Sequence, residues 1–68
     1  MGMHEAVAAK LKYFEYGHLP LELQEVSKKF GDLASDLAED DRLTGPELTV
    51  CLTKLLEAKD AAVRAAIT

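Results

Sequence analysis

Leu23, Val26, Phe30, Leu33 and Leu37 follow one another at alternating spacings of three and four. This is the heptad pattern of a helix that packs along one side against another helix. Strands repeat every two residues, so the run cannot be read as one. The pattern predicts a helix over about 20–38, opened by Pro20, whose fixed φ suits a first turn.

Two further helices flank it. Met3, Val7, Leu11 and Phe14 recur at spacings of four and three and predict a helix over about 3–16. Gly17 is expected to end it in the left-handed conformation, with a tight corner at Gly17-His18-Leu19. The stretch Glu39-Asp40-Asp41-Arg42-Leu43 has no periodicity. Thr44-Gly45-Pro46-Glu47 then reads as a capping box, Thr44 the N-cap and Glu47 its third position, which opens a helix over about 45–66. The apolar face of that helix, Leu48, Leu52, Leu55, Leu56, Ala62, Val63, Ala66 and Ile67, is wider than one partner needs. The expected fold is all-α over a single domain, 1–68: a short N-terminal helix plus an antiparallel helical hairpin, assembled as a homo-oligomer.

The oligomer follows from size. A chain of 68 residues buries only about 60% of its unfolded surface, and its hydrophobic gain barely offsets its ordering entropy. Something must supply the difference. Cys51 is the only cysteine, so no disulfide can form within the chain, and no Cys/His cluster offers zinc. Self-association remains. The net charge of −4 argues against binding polymeric nucleic acid, which demands many cations against phosphates. Met1 to Ala9 lacks the basic start and long apolar run of a signal or membrane segment, so a cytoplasmic location is expected and a membrane is not.

Catalytic and metal patterns fail one by one. His4-Glu5 begins like a zinc-protease helix, but Ala8 stands where the second histidine belongs. Asp40-Asp41 begins like a calcium loop, but Arg42 and Thr44 break the alternation of oxygen ligands. Cys51 lies among Val50 and Leu52 with no base in reach of the pattern. No enzyme and no cofactor is expected. Binding chemistry is better represented, since Tyr13, Phe14 and Tyr16 hold three of the four aromatic residues. Phe14 follows the apolar stripe and belongs to the core, while Tyr13 or Tyr16 can offer a ring face to a base or a partner. His18 is a corner residue that meets either free helix-end groups or a ligand. At 100° per residue Ser27 and Lys29 flank the central seam and Lys28 lies on the far side. Asp60 and Arg64, four apart, are placed to pair. Lys59, close to the apolar face, either snorkels or reaches an anion at a subunit junction.

The order Tyr16-Gly17-His18-Leu19-Pro20, Val26-Ser27-Lys28-Lys29, Gly31-Asp32-Leu33, Leu56-Glu57 and Val63-Arg64-Ala65 resembles the small phage-encoded sponge proteins of the anti-CBASS family. These share a helical hairpin domain with one class of Thoeris anti-defence proteins. The resemblance implies a homohexamer in the infected bacterial host. It would sequester cyclic di- or trinucleotide signals, or related nucleotides, without cleaving them. It also implies a base-stacking tyrosine, Tyr13 or Tyr16, a phosphate-binding lysine, Lys28 or Lys29, and Arg64 at a separate cyclic trinucleotide site. The alternative is a small helical protein-interaction or structural module, in which the wide third-helix face seats another protein.

Overall fold

The computed structural model describes residues 5–67. Among them all regular structure is helical: α1 (Glu5–Leu11), a 3-10 turn (Lys12–Phe14), α2 (Leu21–Glu39) and α3 (Pro46–Ile67). Both long helices agree with the sequence pattern to within a residue at each end. α3, with 22 residues, spans about 33 Å and accounts for most of the 38 Å long axis.

The first helix departs from expectation. It is α-helical only to Leu11, then tightens, and at Glu15 the backbone is extended with ψ 140. Phe14, 4% exposed, joins Val7, Ala34, Leu48 and Leu52 in the core and draws the chain off the helical path. Met3 lies outside the described residues. Gly17 does not adopt the left-handed conformation, because the helix has already ended before it. The corner is instead a turn closed by the Leu19 N–H on the Tyr16 carbonyl, at 3.0 Å. Gln24 Nε2 fastens the corner to α2 by donating to the Leu19 carbonyl at 2.8 Å. Pro20 stands just before α2, its carbonyl accepting from Leu23 and Gln24, and is not within the first turn. At the other corner Gly45, not Thr44, immediately precedes α3. Its φ of 79 is the one position in the described chain that demands glycine, and Pro46 follows as first helical residue.

The seam of α2 is also turned. The inward line is Leu23, Ser27 and Ala34, with Phe30 and Ala38 packed beside it, and Leu33 is left 47% exposed. Small side chains explain the rotation. At Gly31 an added Cβ would sit 3.4 Å from the Phe14 carbonyl oxygen, so the 3-10 turn approaches α2 closely only where Ser27, Gly31 and Ala34 leave room. On α3 the expected face holds, with Leu48 and Leu52 buried and Leu55 and Leu56 packed against the core, but its far end at Ala66 and Ile67 stays exposed.

Candidate functional site

The 3-10 turn ends in Tyr13 and Phe14, adjacent residues with opposite fates. Phe14 enters the core, and Tyr13 is thereby turned outward, 62% exposed, with Lys10 Nζ 6.0 Å from its ring centroid. Beside it runs an open groove of about 490 Å³ between the turn, the corner before α2 and the C-terminal half of α3. Tyr13, His18 and Arg64 all line it, together with Lys12 and Lys59. Three cations against Glu15 and Asp60 give this groove a positive balance on a chain of net charge −4. Such a local excess is what an anion meets on approach.

Lys59 is held at the groove wall. Where its place on the apolar face predicts either snorkelling or an anion contact, its side chain is only 12% exposed and its Nζ donates to the Tyr13 carbonyl at 2.8 Å. The same ammonium lies 3.4 Å from Asp60 Oδ1 and 5.9 Å from the Phe14 ring centroid. Asp60 thus faces Lys59 where the sequence pattern pairs it with Arg64, and Arg64 is exposed. Ser27, expected on a flank of α2, is fully buried at the groove floor. Its Oγ has no hydrogen-bond partner among the described residues.

The remaining candidates sit apart. Lys28 and Lys29 line a smaller depression of about 400 Å³ on the outer face of α2, with Glu25, Val26 and Asp32. Lys28 Nζ donates to Asp32 Oδ2 at 2.6 Å. That hydrogen bond, then the attraction of the carboxylate charge, raises the Lys28 pKa above its usual value. Tyr16 is half-buried, its ring edge 3.8 Å from where a Gly31 Cβ would lie. Within one chain, therefore, Arg64 shares a groove with Tyr13 and His18, while the α2 lysines face elsewhere.

Sequence reasoning passed over Lys12 and the Gln24 fastening. Lys12 is signalled only by adjacency to Tyr13. Gln24 carries no signal, because a glutamine five residues past a carbonyl reads as solvated surface until the corner geometry is known. Among the described residues no group of three or more His, Cys, Asp or Glu side chains is placed to hold a metal ion. No described helix is long and apolar enough to cross a membrane. Comparison of the chain with family models, with curated proteins and with solved structures finds no match in any of the three.

Proposed function

We propose that this protein is an immune-evasion sponge of the anti-CBASS kind: an antiparallel helical hairpin, assembled as a homohexamer, that binds cyclic di- or trinucleotides and releases them intact. The observation that carries the reading is the exposed Tyr13 ring beside Lys12, His18 and Arg64 along one positive groove. Flat purines need a ring face, and stacking contributes about 1–3 kcal/mol per base. Phosphates need cations that are not already spent, and Arg64 and Lys12 answer that better than Lys28, whose ammonium is bonded to Asp32. Lys28 and Lys29 serve this ligand only if a second subunit brings their face to the groove of the first. The cytoplasm of an infected host is where such signals are found.

Calorimetry with cyclic di-AMP, cyclic tri-AMP and cyclic ADP-ribose isomers tests the proposal. Tyr13→Ala is expected to weaken dinucleotide binding about 5- to 150-fold, equivalent to the 1–3 kcal/mol of one stack, with its helical circular dichroism retained. Chromatography of heat-released ligand is expected to return it uncleaved. A parent chain that binds none of these ligands refutes the sponge reading. The protein-interaction module would then stand, resting on Ile67, 66% exposed at the end of the α3 apolar face.

A further inference from the structure

Lysines ordinarily keep the ammonium in water, yet the Lys59 side chain is only 12% exposed. A cation so placed requires partners. The first of these is a backbone carbonyl 46 residues away in the chain, that of Tyr13. The reason lies in the turn. A 3-10 segment of three residues is a weak element, and at Glu15 the chain becomes extended, so helical hydrogen bonding stops there. Carbonyls at such an end need an outside donor. The Glu15 N–H on the Lys12 carbonyl, at 3.3 Å, is long, whereas the Lys59 bond at 2.8 Å is short and charge-assisted.

The turn is thus fastened at two adjacent points: Phe14 by its ring in the core, and Tyr13 by its carbonyl to α3. Lys10, 6.0 Å from the Tyr13 ring centroid, is itself on the short α1 and holds the ring only loosely. We propose that Lys59 is a positioning residue, pinning the Tyr13 backbone so that the exposed ring stands at a fixed angle over the groove. This rests on the groove being a stacking site for a planar ligand. The ammonium donates to the Tyr13 carbonyl and lies 3.4 Å from Asp60 Oδ1, so Lys59 acts on a ligand through Tyr13 rather than by touching it.

The chain has two tyrosines and no tryptophan, so in a Tyr16→Phe background Tyr13 is the sole emitter of tyrosine fluorescence. In that background Lys59→Met keeps the aliphatic stem and removes the donor, and Lys59→Arg restores a donor. Steady-state anisotropy of Tyr13 in the ligand-free protein is expected to fall in Lys59→Met and to recover in Lys59→Arg, with the helical circular dichroism of all three alike. Cyclic di-AMP affinity is expected to fall about tenfold in Lys59→Met and to recover in Lys59→Arg, as a misaligned ring loses most of one stack. If Lys59→Met does not fold, Lys59→Leu, which also lacks a donor, carries the same comparison. Unchanged anisotropy overturns the proposal whatever the affinity does, and unchanged anisotropy with weakened binding would make Lys59 a direct ligand contact. Failure of the parent to bind cyclic di-AMP sinks the ligand reading alone. The anisotropy of the ligand-free variants then still decides whether Lys59 pins the ring.

Discussion

Gly31 sits in the interior of α2, where glycine costs about 0.8–1.0 kcal/mol relative to alanine through backbone entropy. Replacing it should return that energy if the new methyl fits. An added Cβ would lie 3.4 Å from the Phe14 carbonyl oxygen, 3.8 Å from Tyr16 Cε1 and 3.9 Å from Phe14 Cβ, all ordinary contact distances. Gly31→Ala is therefore expected to stabilise the protein by about 1 kcal/mol, which for a domain of this size raises Tm by about 4–8 °C. Gly31→Val should do the reverse. Its methyls reach about 1.5 Å further, and the nearest neighbour is a backbone oxygen on the turn, which cannot swing away as a side chain would. Overpacking of this kind costs about 1–3 kcal/mol, enough to cancel or outweigh the gain. Differential scanning fluorimetry of the three proteins at one fixed concentration reads the order Ala, Gly, Val from most to least stable. A lower Tm for Gly31→Ala would refute the claim that the added methyl fits beside the Phe14 carbonyl, and a Tm for Gly31→Val above that of Gly31→Ala would refute the close approach of the turn.

Leu52, fully buried at the centre of the core, is expected to lose about 2–5 kcal/mol on truncation to alanine, and urea denaturation showing less than 1 kcal/mol would displace it from that centre. Ser27→Ala removes a buried hydroxyl without a partner and is expected to leave stability unchanged or raise it by up to about 1 kcal/mol, whereas a clear loss in the same assay would reveal a bond made by the Oγ. Asp40 accepts from the Arg42 guanidinium at 2.6 and 2.9 Å and from its backbone N–H at 3.0 Å, which holds its carboxyl below the ordinary 3.8. A depressed carboxylate contributes stability that is in place above 3.8 and fades as pH falls through the lower folded value. The Asp40 carboxyl carbon should therefore titrate in NMR below 3.8, and Arg42→Ala should return it there; a parent midpoint at or above 3.8 would contradict the pairing.

What could be read from the sequence was the part set by large side chains and punctuation. The spacing of Leu48, Leu52, Leu55 and Leu56 marked the face of α3, because apolar burial there is local to one helix, and Thr44-Gly45-Pro46-Glu47 marked its start. The seam of α2 was misread for a related reason. Periodicity of Leu23, Val26, Phe30, Leu33 and Leu37 marks an apolar direction, but the closest approach of backbones is set by the small Ser27, Gly31 and Ala34, which hydrophobic spacing does not weigh. The early end of α1 was hidden as well, since Tyr13 and Phe14 are compatible with helix and only the core contact of Phe14 draws the chain away. Tyr13, His18 and Arg64 were each visible as candidates. Their meeting in one groove depends on the corner fastened by Gln24 and on the register of α3 against the turn, both tertiary facts.

The proposed assembly answers a shortage that the single chain displays. A compact monomer of 7.4 kDa is expected to expose about 4,200 Å². This chain exposes 4951 Å², with Leu33 and Ile67 among the uncovered apolar residues. Covering those residues with another copy would supply the stabilisation that a 68-residue core lacks, and would also wall a groove that is open on one side. Light scattering is expected to give a multiple of 7.4 kDa at micromolar concentration, and Leu33→Glu and Ile67→Glu are each expected to lower that mass. A folded monomer with undiminished Tyr13-dependent ligand binding would refute the assembly and leave the groove of a single chain as the whole site.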